Sequence, residues 1–141
     1  MDPYVYANAV FSRFGRNYMA LKKNLPIRPS EMAVLNILAA IPGPHTPAML
    51  AERLGVSKPM ITAHLTVLSK KGYITREPCQ EDKRAYFVLL TAKAEALVAT
   101  ARAEADGHID DLISALGQER FDTLVELMQK ANLVLETEEE P

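Results

Sequence analysis

At about 100 to 200 residues per domain, the 141-residue chain holds one compact domain, or one small domain plus a dimerising extension, and is too short for a large multi-domain enzyme. With 48% hydrophobic and 24% charged residues it can bury a core and is not a disordered polyelectrolyte. The net charge of -2 hides a strong asymmetry along the chain. Residues 53–84 carry seven bases (Arg53, Lys58, Lys70, Lys71, Arg76, Lys83, Arg84) against three acids (Glu77, Glu81, Asp82), a balance of +4, whereas residues 101–141 carry three bases against eleven acids, a balance of -8. A basic middle and an acidic carboxyl end predict that the middle meets a polyanion and the end faces elsewhere.

The elements follow in chain order. Val10, Phe14, Tyr18 and Leu21 recur at spacings of four, four and three and predict a helix from Pro3 to Asn24, stopped by Leu25-Pro26-Ile27-Arg28-Pro29. Ser30 is the expected N-cap of a second helix whose inward face is Val34, Leu35, Leu38 and Ile41, ended by Pro42-Gly43-Pro44. Thr46-Pro47 opens a short third helix in the N-cap and N1 arrangement, because the fixed φ of proline suits a first turn that does not need its N–H. Leu50 and Leu54 face inward, and Gly55 supplies a left-handed exit. Only Val56 separates Gly55 from Ser57, which caps a fourth helix reaching Lys71 and closed by Gly72. Helices joined this tightly cross steeply, as in a helix-turn-helix.

The period then changes. Tyr73 to Arg76 and Ala85 to Leu90 are strand-like and are joined by the polar loop Glu77–Lys83, which predicts a β-hairpin, or wing. Thr91 caps a long helix through Leu97, Ala101, Ile109, Leu112 and Leu116, broken at Gly117. A last helix carries Phe121, Leu124, Met128, Ala131 and Leu135 at the spacing of a helix-pairing seam, and the acidic tail, residues 136–141, is expected to fray.

This order of elements, together with four stretches of sequence, resembles the MarR family of winged helix-turn-helix transcriptional regulators. The stretches are Leu50-Ala51-Glu52-Arg53-Leu54-Gly55-Val56-Ser57-Lys58, then Leu65 through Lys70-Lys71-Gly72-Tyr73-Ile74-Thr75-Arg76, then Asp82-Lys83-Arg84 with Leu90-Thr91. The resemblance covers nearly the whole chain and implies a mainly α fold with a small β-hairpin wing. It implies a winged helix-turn-helix lobe at residues 30–91 and a helical dimerisation region at residues 1–24 and 92–135.

The chemistry of the fourth helix agrees with that reading. With Ile61 at zero on a helical wheel, Leu65 and Leu68 fall within about 40° and mark the buried side. Pro59, Ala63, Thr66 and Lys70 point away, flanked by Met60, Thr62 and Val67. Small and apolar side chains approach base edges and thymine methyl groups closely, and Thr62 and Thr66 offer hydroxyls, so this is the expected recognition helix. Pro59 at N2 removes one amide from the helix start, so Ser57 is expected to cap the amide of Met60, and Lys58 offers a phosphate or guanine contact in compensation. His64 is expected at the boundary of the core. In the wing, the resemblance implies that Arg84 enters or skirts the minor groove while Asp82 holds the hairpin. A narrow A·T-rich groove concentrates negative potential and attracts a guanidinium. Arg76 and Lys83 are expected to add phosphate contacts that position without reading sequence.

A homodimer is expected, because a single helix-turn-helix contacts few base pairs and two-fold dimers read two half-sites about one helical turn apart. The resemblance also implies a small anionic or phenolic effector in a cleft between the dimer region and the lobe, with Phe11, Arg16, Tyr18, His45 and Met49 as candidate lining residues. The lone Cys79 cannot form an internal disulfide or supply the paired thiolates of a structural zinc site, and it sits away from the first helix, where the family's oxidation sensors place theirs. His45, His64 and His108 lie on separate elements, and no phosphate loop or nucleophile motif occurs, so no metal, cofactor or catalysis is expected. No run approaches about 18 apolar residues, and Met1-Asp2-Pro3-Tyr4 does not open a signal peptide, so no membrane association and a cytoplasmic location are expected. The expected function is sequence-specific binding of double-stranded DNA as a ligand-responsive repressor on a palindromic operator. A winged-helix adaptor that binds protein and not DNA is the alternative.

Overall fold

Proline stands in the first turn of each of the first four helices, where its missing N–H removes a donor that has no intrahelical partner. The computed structural model of the chain, which describes residues 1–22 and 24–139, has the order α1 (Pro3–Ala20), α2 (Pro29–Ala40), α3 (Pro47–Leu54), α4 (Lys58–Lys70), β1 (Ile74–Pro78), β2 (Tyr86–Leu90), α5 (Ala92–Leu116) and α6 (Gln118–Glu139). This is a mainly α fold with a two-stranded antiparallel hairpin, as expected. The chain divides into two compact units, Met1–Ala99 and Thr100–Pro141, with α5 beginning in the first and ending in the second.

The apolar core of the first unit is drawn from residues between Ile27 and Ala94. Val34 and Leu35 of α2, Leu50 of α3, Ile61, Leu65 and Leu68 of α4, Ile74 of β1 and Val88 of β2 are all buried. At about 1.5 to 3 kcal/mol for each fully buried large aliphatic side chain, this cluster sets the orientation of the short helices that supply it. The hairpin pairs Ile74 with Leu90, Arg76 with Val88 and Pro78 with Tyr86. Its second strand is tied to the segment before α3, because the amide of Val88 donates to the carbonyl of His45 at 2.9 Å.

Several element boundaries differ from expectation. Helix α1 ends at Ala20, with the amides of Leu21 and Lys22 turning back onto the carbonyls of Tyr18 and Met19, so the chain tightens and leaves the helix before Pro26. Lys23, within the longer helix expected, lies outside the described residues. Ser30 is not the cap of α2. The cap is Arg28, Pro29 takes N1, and Oε1 of the buried Glu31 accepts from the amide of Arg28 at 3.0 Å, so a carboxylate at N3 takes the role expected of a hydroxyl. Leu38 and Ile41 are half-buried, whereas Met32 is buried, which rotates the inward face of α2 toward its amino end.

Glu77 and Pro78 belong to β1, not to the loop. Pro78 can sit there because a two-stranded sheet leaves one edge unpaired and needs no donor from it. Residues 136–139, expected to fray, lie within α6, while Glu140 and Pro141 lie outside the described residues. Large apolar side chains of the terminal helices are exposed in the single chain: Phe11 of α1 and Val125, Leu127, Leu133, Val134 and Leu135 of α6.

Two junctions carry a disproportionate share of the lobe. Gly55, at φ 66, is the left-handed C-cap of α3, and a Cβ there would meet nothing within 4 Å, so the cost of a side chain is conformational alone. Gly55→Ala is therefore expected to lower stability by about 1–2 kcal/mol in urea unfolding. A neutral result would mean that the turn relaxes to a right-handed conformation. Thr91 serves two elements, since its Oγ1 accepts from the amide of Ala94 at 3.2 Å and donates to the carbonyl of Gly72 at 2.7 Å. Thr91→Val is expected to cost about 1–3 kcal/mol, with Thr91→Ser retaining most of the wild-type stability.

Candidate nucleic-acid interface

The helix-turn-helix is built from caps at both ends of a very short connection. Oγ1 of Thr46 accepts from the amide of Met49 at 3.2 Å and starts α3. Its end is closed by the amides of Gly55 and Val56 on the carbonyls of Glu52 and Ala51. One residue later, Oγ of Ser57 accepts from the amide of Met60 at 3.3 Å, the cap required by a helix whose Pro59 has no N–H. The first turn of α4 contains no acid, so its positive dipole end and Lys58 act with the same sign.

With Ile61, Leu65 and Leu68 buried, the opposite face of α4 is forced outward. Lys58, Pro59, Met60, Thr62, Ala63, Thr66 and Lys70 are all exposed there, Met60 by 49%. Val67, expected to flank this face, is half-buried. The two threonines are not equivalent. Oγ1 of Thr66 donates to the carbonyl of Thr62 at 2.9 Å, which commits its proton to the helix and leaves it as an acceptor. The Thr62 hydroxyl makes no hydrogen bond among the described residues. His64 is half-buried at the edge of the core, and its Nε2 is enclosed without a hydrogen-bond partner.

The carboxyl end of α4 is held by residues that the sequence did not mark. Nζ of Lys93 donates to the carbonyl of Lys71 at 2.6 Å and lies 4.6 Å from the centroid of the Tyr73 ring. Gly72, at φ 81, and the Tyr73 amide on the carbonyl of Leu68 then turn the chain into β1. The only available signal for Lys93 was its place two residues after a capping threonine, and that spacing occurs at many helix starts.

At the tip of the wing, Oδ1 of Asp82 accepts from the amide of Arg84 at 2.9 Å, and the Asp82 carbonyl accepts from the amide of Ala85 at 3.1 Å. The loop is closed across its base by the amide of Cys79 on the carbonyl of Ala85. A carboxylate that binds backbone two residues ahead is an Asx turn, so Asp82 acts on the shape of the loop and leaves the Arg84 side chain free. Arg84, Lys83 and Arg76 are exposed. Among the described residues the ion pairs are Arg102–Asp106 and Lys130–Glu126, so none of the bases between Arg53 and Arg84 is neutralised by a salt bridge.

The candidate effector residues are scattered in character. Phe11 is 73% exposed on α1, and Tyr18, one face with it, stacks on Phe14 at 5.9 Å and carries Lys22 over its ring. Arg16 projects about 140° around the helix from Phe11. His45 is buried with its Nε2 unpartnered, and Met49 on α3 is partly exposed. Cys79 is a half-buried free thiol. Among the described residues no group of three metal-ligating side chains occurs, and no helix is long and apolar enough to cross a membrane.

Comparison with known proteins places this geometry. Residues 25–85 match the family model described as MarR family. The structure of FabT from Streptococcus pneumoniae, in complex with DNA, superposes with a TM-score of 0.80 at 20% identity, covering 95% of this chain and 98% of that one. The transcriptional repressor CouR, bound to a 23-mer DNA duplex, superposes at 0.71 with 26% identity over 94% of this chain and 92% of its own. The PcaV transcriptional regulator of Streptomyces coelicolor, in complex with its natural ligand, superposes at 0.71 with 17% identity over 94% and 95%. Residues 25–85 are therefore similar in sequence to the MarR family, and the fold of these solved structures extends over more than nine-tenths of the chain.

Proposed function

We propose that the protein is a sequence-specific transcriptional regulator that binds double-stranded DNA as a homodimer on a palindromic operator, represses by occluding promoter DNA, and is released by a small-molecule effector. The observation that carries this reading is the outward face of α4. It is small, apolar and hydroxylic over its first two turns, while the bases around it and on the wing make no ion pair among the described residues. A face of that chemistry suits base edges, and unpaired cations suit phosphates. Lys58, Pro59, Met60, Thr62, Ala63 and Thr66 are the proposed major-groove contacts. Arg76 and Lys83 contact phosphate, and Arg84 reaches the minor groove from a loop shaped by Asp82.

The dimerisation region is taken to be residues 1–24 and 92–135, because the apolar stripes of α1 and α6 are exposed in the single chain. Two copies related by a two-fold axis would bring paired α4 helices to half-sites about 34–36 Å apart. The effector reading takes Phe11, Tyr18, His45 and Met49 as candidates, with Nε2 of His45 as the polar group that a ligand could satisfy, and Arg16 as a more distant cation.

The interface is tested by affinity and salt together. Affinity for duplex recovered from a random pool is expected to fall steeply between about 50 and 200 mM salt, because each phosphate contact releases counterion. A flat salt dependence would point to a protein-binding adaptor. Arg84→Ala is expected to weaken operator binding by about 1–3 kcal/mol with the dimer intact, measured by fluorescence anisotropy alongside sedimentation; unchanged affinity would remove the wing from the interface. Thr62→Ala is expected to relax preference at its base position by about 1–3 kcal/mol while sparing nonspecific binding. Equal losses on operator and random duplex would make Thr62 a backbone contact.

A further inference from the structure

Arg76 stands apart from the other bases of the wing in the way it is held. Its Cζ lies 4.9 Å from the centroid of the Tyr86 ring, and its guanidinium makes no hydrogen bond or ion pair among the described residues. The hairpin register accounts for the contact. Arg76 pairs with Val88, and Tyr86 is two residues from Val88 on the same strand, so both side chains lie on one face of the sheet as diagonal neighbours. That face is anchored by the buried Ile74 and Val88, and it continues outward through Arg76 and Tyr86. Tyr86 is half-buried opposite Pro78, next to the loop closed by Cys79 and Ala85, whereas Arg76 is exposed. A half-buried ring therefore backs an exposed cation.

We propose that Tyr86 is a positioning residue for a phosphate contact made by Arg76, an inference that rests on the DNA-binding reading above. A guanidinium that lays its face on an aromatic ring keeps its N–H edge outward, and that edge forms paired hydrogen bonds to phosphate. The stack removes rotamer freedom from an exposed arginine before DNA arrives, so less is lost on binding. Because the contact is to phosphate, it acts on every sequence alike.

The test is a double-mutant cycle on the full-length protein, with two probes: duplex selected by the wild type from a random pool, and an unrelated mixed-sequence duplex. Tyr86→Leu is expected to weaken both complexes about two- to five-fold, the range of an exposed cation–π contact, and Tyr86→Phe is expected to match the wild type. Arg76→Ala is expected to reduce the slope of log affinity against log salt by about 0.9 for each phosphate that the arginine no longer neutralises. In the Arg76→Ala background, Tyr86→Leu is expected to have no further effect. If Tyr86→Leu does not fold, Tyr86→Ile removes the ring while keeping a strand-forming side chain. Without DNA, the ring-current shift of the Arg76 side-chain protons is expected in the wild type and Tyr86→Phe and absent in Tyr86→Leu. Wild-type affinity in Tyr86→Leu, or an equal loss with and without Arg76, overturns the proposal alone. A wild type that binds neither duplex while keeping the ring-current shift overturns the DNA-binding reading and this proposal with it.

Discussion

The burial of one side of α4 is the constraint on which the remaining structure depends. Ile61, Leu65 and Leu68 are removed from water among residues of α2, α3 and the hairpin, and a helix of thirteen residues held along that line cannot rotate without exposing them. The outward direction of Thr62, Ala63 and Thr66 follows from that burial, since the same 3.6-residue period that turns three aliphatic side chains inward turns these outward. No outward residue has to provide stability. The exposed face is therefore free to be small, apolar and poor in charge, a composition that an ordinary solvated surface does not favour.

The ends of α4 are restrained by different means. At the amino end a serine cap and a tight left-handed turn link it to α3. At the carboxyl end Lys93 and Thr91 reach from the start of α5 to the carbonyls of Lys71 and Gly72. Orphan carbonyls at a helix terminus are commonly left to water. Here they are taken up by a helix that runs on into the second compact unit, so the base of α5 and the end of α4 share hydrogen bonds. The wing is fastened in a comparable way. The amide of Val88 binds the His45 carbonyl, which adds a third backbone partner to a two-stranded hairpin that would be marginal by itself.

Charge is distributed to suit this division. Among the described residues the bases of the helix-turn-helix and wing have no carboxylate partners, and the ion pairs lie in α5 and α6 at i, i+4 spacing and are well exposed. Exposed pairs of that kind contribute little to stability. The apolar surface of α1 and α6 is the larger feature of the terminal helices, and its extent exceeds what scattered surface hydrophobes explain.

Much of the lobe was legible in the sequence because its signals are local. Thr46-Pro47, Gly55, Ser57 and Gly72 mark helix starts and stops through backbone chemistry that neighbouring residues hardly alter, and the inward face of α4 follows from periodicity alone. Expectation failed where a tertiary partner chose between local options. Glu31 displaced Ser30 as the group that satisfies the start of α2, and the strands took in Glu77 and Pro78 because cross-strand pairing outweighed the turn preference of proline. The register of the hairpin, which sets Tyr86 under Arg76, and the reach of Lys93 to Lys71 were settled by tertiary structure. Each joins residues well separated along the chain, and only the packed core determines that distance.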